Sequence, residues 1–242
     1  MRRTSGEEDE KKMRWNATEL KLLMVFLMVL DHIYEFIPGT PIWFTYLGRL
    51  VAPVFYFLLA ESYHYTRNRI KLIERLYLFG LIMLAGNILI TYIMPSELGI
   101  PNNIFMNMAL CLTFLECMER MHTVTDGRKR IVLTTVLLLS LVLLFFTEGN
   151  YFTLAFLLVF HYLRERTKQR DIAYGLIALA MTNLDFSYAS LFLYNYQWMM
   201  VFSIVFFRIY NGERGRGLKY AFYFFYPMHI WLLYIISQML QV

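Results

Sequence analysis

Nine apolar runs divide this chain, at about residues 17–37, 41–66, 72–94, 102–119, 131–147, 151–163, 171–183, 189–207 and 219–240, and basic residues gather in every second connection between them. A helix needs about 20 mostly apolar residues to cross the hydrocarbon core of a bilayer. The pattern therefore predicts an all-α, polytopic transmembrane bundle of about nine spans. Composition agrees: 58% of the 242 residues are apolar and 17% charged, where soluble domains run near 45–50% and about 25%. A water-soluble domain is excluded on that ground. The net charge of +5 does not point to nucleic acid, because 21 of the 23 Lys and Arg mark the connections. Cys111 and Cys117 lie six apart in one run and imply no disulfide framework. Residues 1–16 read as a polar cytoplasmic leader and 17–242 as a single transmembrane domain. The first apolar run lacks an A-x-A-like cleavage site, so it reads as a retained span and not a signal peptide.

The cations also orient the chain. They cluster before residue 15, at Arg67 to Arg75, at Arg120 to Arg130, at Arg164 to Arg170 and at Arg208 to Lys219, whereas the intervening connections hold no Lys or Arg. By the positive-inside rule the N-terminus is cytoplasmic and the C-terminus outside. The runs 151–163 and 171–183 are short for a crossing. A hairpin that fails to cross is the alternative, but it would place Arg164 to Arg170 outside, so charge placement favours crossing as short or broken helices.

Lys21 and Arg49 are the two cations outside these five clusters, and both fall within predicted spans. Ionisable side chains at that depth are costly and are candidate sites by default. Lys21 and His32 are eleven residues apart, three helical turns plus about 20°, which puts them on one face about 16 Å apart along the axis. A cation towards the cytoplasm and an imidazole towards the outside suit a long anionic donor; snorkelling and packing roles are the structural alternative. Asp31 points about 100° away from His32 and does not orient it, which leaves Glu148, and after it Asp185, as the carboxylate to do so. Arg49 lies four residues before Pro53, which frees a carbonyl and bends the span. Its guanidinium requires an anionic ligand or an ion pair with Asp31 or Glu148. His229 follows Pro227, again predicting a broken helix with a polar group at mid-membrane. The amides Asn103 and Asn107 fall in the outer half. No metal-ligand spacing is present among the five histidines, and no G-x-S-x-G.

Taken together, Leu20-Lys21-Leu22 through Asp31-His32-Ile33, Gly48-Arg49-Leu50-Val51-Ala52-Pro53-Val54-Phe55, Phe57-Leu58-Leu59-Ala60-Glu61-Ser62 and Thr66-Arg67-Asn68 resemble the start of the TraX family of membrane proteins. Asn103-Ile104-Phe105, Glu148 in the place of a family acidic element, and Phe225-Tyr226-Pro227-Met228-His229 follow in the same order; Glu148-Gly149-Asn150 keeps the acid of that element but shifts its glycine. The family is similar to transmembrane acyltransferases that carry a cation and then a histidine on the first core helix, as Lys21 and His32 do here. Its best-known activity is N-terminal acetylation of a conjugative pilin.

The resemblance implies a multi-pass protein of the bacterial cytoplasmic membrane, surrounded by lipid. Its activity would be transfer of an acetyl or other short acyl group from acetyl-CoA or another acyl-CoA, with no metal. The acceptor is open: a peptide or pilin amine, a glycan hydroxyl or a metabolite. In that reading His32 is the general base, Glu148 or Asp185 holds its tautomer, and Arg49 or Asn107 stabilises the oxyanion. Lys21, Arg67, Arg69 and Arg75 hold donor phosphates. Asp31, Asn103, Asn107, Tyr226 and His229 line the acceptor side. A transporter or flippase using the same intramembrane groups is the alternative of a different class.

Overall fold

The computed structural model describes residues 14–96, 99–182 and 186–240; the leader before residue 14 and the candidate Asp185 lie outside them. The described residues form helices and their connections, with an isolated β-bridge between Trp15 and Tyr210. The α-helices are α1 (Ala17–Phe36), α2 (Trp43–Gly48), α3 (Val51–Tyr65), α4 (Arg69–Ile93), α5 (Ile104–Met121), α6 (Gly127–Leu144), α7 (Asn150–Tyr162), α8 (Thr167–Ala180), α9 (Ile204–Ile209) and α10 (Lys219–Leu240). Among the described residues, two helical segments qualify by length and composition to cross a membrane, Trp43–Tyr65 and Arg69–Ile93.

Local chemistry sets the ends. Asn16 and Glu19 form a capping box on α1: Thr18 N and Glu19 N donate to Asn16 Oδ1 at 2.9 and 3.1 Å, and Asn16 N donates to Glu19 Oε2 at 2.8 Å. Asn68, Asn103 and Asp126 cap α4, α5 and α6 more simply, the side chain accepting one first-turn N–H in each. The second apolar run is two helices, interrupted at Arg49 and Leu50, because Pro53 has no N–H for the Arg49 carbonyl. Ser203 Oγ donates to the Leu50 carbonyl at that break, at 3.2 Å. Pro227, by contrast, lies inside an unbroken α10; losing one helical hydrogen bond does not end a helix whose flanks are packed against α1 and α4. The eighth run is the least regular: a π turn at Ser190–Tyr194 and a 3-10 segment at Tyr196–Ser203 precede α9.

The directions of the helices follow from their contacts. Along α1 and α10, Lys21 meets Phe222, His32 meets His229 and Phe36 meets Tyr234, so the two run parallel. Tyr56 meets Asn107 and Tyr63 meets Glu116, so α3 and α5 are parallel, whereas Tyr77 with Thr113 and Gly80 with Asn103 make α4 antiparallel to α5. The basic connections are thereby tied at one end of the bundle. Thr18 Oγ1 donates to the carbonyls of Arg214 and Arg216, Arg164 pairs with Glu61, and Arg208 pairs with Asp171. Burying apolar side chains supplies little association between helices in lipid, where tails are equally apolar, so shape and polar contacts decide packing. The rings of Phe57, Phe160, Tyr174 and Phe207 interlock at centroid distances of 4.9 to 5.6 Å. Leu81, Ile82, Ile88, Leu89 and Ile93 leave the outward face of α4 exposed and apolar.

Candidate functional site

At the end of the bundle opposite the basic connections, α1, α10, the segment 99–103 and the α6–α7 corner converge. His32 of α1 and His229 of α10 are both buried, and His32 Nδ1 lies 2.8 Å from His229 Nε2. His229 Nδ1 lies 2.9 Å from the Phe225 carbonyl. A carbonyl only accepts, so His229 carries its proton on Nδ1 and presents a lone pair at Nε2. That lone pair accepts from His32 Nδ1–H. With both rings neutral, His32 is left with an unprotonated Nε2, a chain of tautomers fixed by one backbone oxygen. The group orienting His32 is therefore His229 and not a carboxylate.

Glu148 is engaged elsewhere. Its Oε2 accepts from Asn103 N at 3.0 Å and from the Tyr226 hydroxyl at 3.3 Å. Tyr226 stands edge-on to both histidines, with centroids 6.1 Å from His32 and 5.6 Å from His229, so it links the acid to the imidazole pair. Gly149, next to Glu148, has φ +84°, a backbone state that costs glycine nothing and turns the chain into α7. Asn103, besides capping α5, donates from Nδ2 to the Gly80 carbonyl at 2.9 Å.

Asp31 and Arg49 find each other. One Arg49 guanidinium nitrogen lies 3.0 and 2.8 Å from the two Asp31 oxygens and 3.2 Å from Thr45 Oγ1, with the guanidinium 5.6 Å from the Tyr196 ring. Gly48 admits Asp31 to this position: a Cβ there would lie 2.2 Å from Asp31 Cγ. Asn107, fully buried, is a structural hub. Its Oδ1 accepts from Tyr56 and, at 2.8 Å, from Thr153, while its Nδ2 donates to Thr147 at 2.7 Å, tying α3, α5 and α7 to the corner that carries Glu148.

Lys21 and His32 both face α10, as their spacing requires. Lys21 Nζ lies 5.9 Å from the Phe222 ring, and Arg75 of α4 lies 5.8 Å from the neighbouring Tyr223 ring, with its Nε buried and without a hydrogen-bond partner. These two cations thus flank one stretch of α10. Arg69 sits apart, 4.3 Å over Tyr63, whose hydroxyl donates to Glu116 at 2.6 Å, and Arg67 is exposed in the α3–α4 turn.

Glu35 is the site residue that the sequence reading passed over. Its Oε2 lies 3.9 Å from His32 Nε2 and accepts from Asn102 Nδ2 at 3.2 Å. Three residues on from His32, it shares that helix face, and this i, i+3 spacing is the signal that could have found it. Beside the cluster runs a groove of about 810 Å³, lined by Leu84, Ile88, Tyr92, Asn103, Thr147 and Glu148 among others. Among the described residues no group of three His, Cys, Asp or Glu could hold a metal ion.

A strongly apolar chain whose described residues are helical, with a buried histidine pair and acids grouped around it, defines a helical membrane protein with a polar centre. Comparison with known proteins gives the family: the family described as TraX protein matches residues 16–237, and the chain belongs to it. The chain is also 30% identical over 249 residues to "Probable fimbrial assembly protein FimC, serogroup H1" of Dichelobacter nodosus, across 96% of this chain and 99% of that protein. No solved structure matches.

Proposed function

We propose that the protein is a membrane acyltransferase of the bacterial cytoplasmic membrane, with nine spans, N-terminus inside and C-terminus outside. It moves an acetyl or other short acyl group from a cytoplasmic acyl-CoA to an amine or hydroxyl at the membrane or its outer face. The observation that carries this reading is the unprotonated Nε2 of His32, held by His229 and the Phe225 carbonyl. A neutral imidazole so fixed is a general base.

In this mechanism Lys21 and Arg75 receive the donor's phosphates along α10, supported by the open Arg75 Nε. His32 Nε2 takes the proton from the acceptor atom as that atom bonds to the thioester carbonyl carbon. The C–S bond then breaks, and His32 returns the proton to the departing sulfur. Tyr226 and Glu148 wall the acceptor side, and the groove beside Glu148 is the acceptor's approach from the bilayer. The relative's printed role in fimbrial assembly and the family resemblance favour a pilin-type peptide amine among the acceptors.

The test uses the full chain in proteoliposomes with labelled acetyl-CoA and a peptide bearing a free amino terminus. Acyl transfer with stoichiometric release of free CoA is expected, and His32→Ala should lower it by about 10² to 10⁴-fold while the protein elutes from size exclusion unchanged. Transfer at the wild-type rate by His32→Ala would overturn the mechanism. Movement of the peptide across the bilayer without CoA release would favour a transporter.

A further inference from the structure

Two hydrogen-bond acceptors, His32 Nε2 and the Glu35 carboxylate, face each other across a short gap, with Asn102 beside them. His32 Nε2 offers a lone pair, and Glu35 Oε2 stands 3.9 Å away, beyond hydrogen-bond reach. Asn102, itself buried, donates through Nδ2 to that carboxylate, which fixes the amide's orientation; its Oδ1 is then buried and has no partner. Buried polar atoms are rarely left in this state. The segment carrying Asn102 is held firmly. Asn87 Nδ2 donates to the carbonyls of Ile100 and Asn102 at 3.2 and 2.9 Å, and Trp231 Nε1 donates to Asn87 Oδ1 at 2.8 Å. Asn102 is thereby fixed beside Glu35, with its Oδ1 left as an unsatisfied acceptor.

We infer that Glu35 and Asn102 dock the acceptor as a primary ammonium, and that Glu35, before His32 acts, removes the first of its protons. An ammonium offers three N–H donors, one each for His32 Nε2, Glu35 and Asn102 Oδ1, whereas a hydroxyl offers one. The charges around Glu35 suit a cation. Asp31 on the same helix and Glu148 at the α6–α7 corner are acids, and Arg49 is already paired to Asp31. His32 on the same helix and His229 behind it are the other titratable groups facing the gap, with Tyr226 edge-on to both.

This inference rests on the acyl-transfer reading, and its proton balance is as follows. Glu35 carboxylate takes one proton from R–NH3+, giving R–NH2 and a neutral carboxylic acid. The amine nitrogen bonds to the thioester carbon as His32 Nε2 takes a second proton, and the C–S bond breaks with that proton passing to sulfur. The side chain of Glu35, 37% accessible, releases its proton to the outer aqueous side, so one proton is produced per amide formed.

The test separates docking from transfer. Binding of an amino-terminal peptide to the full chain in nanodiscs is measured without any acyl-CoA, beside the same peptide with hydroxyl in place of the amine. The wild type should bind the amine form at least about tenfold more tightly, and Glu35→Gln and Asn102→Ala should each weaken it by about tenfold. In turnover, Glu35→Gln should raise KM and move the kcat/KM profile to higher pH, since only free amine is then a substrate; Glu35→Asp should recover part of the loss. Equal binding of amine and hydroxyl forms, or variants that bind and titrate as the wild type does, overturn the inference. Glu35-dependent amine binding without acyl transfer by the wild type would instead sink the acyltransferase reading and leave the amine site standing.

Discussion

His32 receives its orientation from a residue 197 positions away, through a second imidazole and a backbone oxygen. The arrangement is a positioning relay, so His229 should be replaceable by a side chain that accepts at the same place. His229→Ala removes the acceptor for His32 Nδ1–H and lets the tautomers redistribute; under the acyl-transfer proposal a fall in kcat of about 10² is expected. His229→Gln, whose amide oxygen can accept, should keep a larger share. If both variants turn over at the wild-type rate, the relay has no function. The face shared by Lys21 and His32 was legible because helical geometry makes eleven residues nearly three turns. The His32–His229 bond was not, since no sequence rule pairs residues across that distance. Glu35 and Asn102 were overlooked for a different reason: one reads as an acid at an exposed helix end and the other as part of a Pro-Asn-Asn loop. Asp31 and Arg49 were both singled out, and the structure joins them to each other.

At the scale of elements, the contact between α1 and α2 depends on a missing side chain. The Asp31 carboxylate occupies the space that a Cβ at Gly48 would take, and it is held there by Arg49. Gly48→Ala cannot be absorbed by swinging a flexible chain end away, because moving Asp31 breaks its ion pair. A loss of about 1–3 kcal/mol is expected, read as a lower unfolding temperature in detergent, and a change within the error of the wild type would show that α2 shifts freely. The break between α2 and α3 was readable from Pro53, whose missing N–H orphans one carbonyl. Pro227 carries the same chemistry inside α10, yet that helix continues. The eighth run looked like an ordinary apolar helix. Its π and 3-10 geometry is set by tertiary bonds that a sequence pattern does not display: Tyr174 hydroxyl to the Met200 carbonyl at 2.5 Å, Asn195 Nδ2 to the Met181 carbonyl at 2.8 Å and Trp198 Nε1 to the Leu191 carbonyl at 3.0 Å.

For the whole molecule, the open question is the path of α7 and α8, helices of 13 and 14 residues that are shorter than a bilayer normally requires. Their connection is tied to other basic ends. Arg164 Nε lies 2.8 Å from Glu61 and its guanidinium 5.0 Å from the Tyr65 ring, both at the end of α3, while Asp171 pairs with Arg170 at 2.8 Å and with Arg208 at 2.9 Å. A hairpin entering from the outside would carry this connection away from those partners and strand four basic residues on the wrong side of the positive-inside bias. Lys168, exposed in the first turn of α8, is a reporter for the choice. With Cys111 and Cys117 replaced by Ala, Lys168→Cys should react with a membrane-impermeant maleimide in inverted vesicles and not in intact cells, and Tyr188→Cys, exposed after α8, should do the reverse. Labelling of Lys168→Cys from outside would turn α7 and α8 into a re-entrant hairpin and reduce the nine crossings proposed above to seven. The proposed odd count and opposite termini would survive that result, because a hairpin removes crossings in pairs, and the pairing of His32 with His229 would too, since it rests on α1 and α10 running in the same direction.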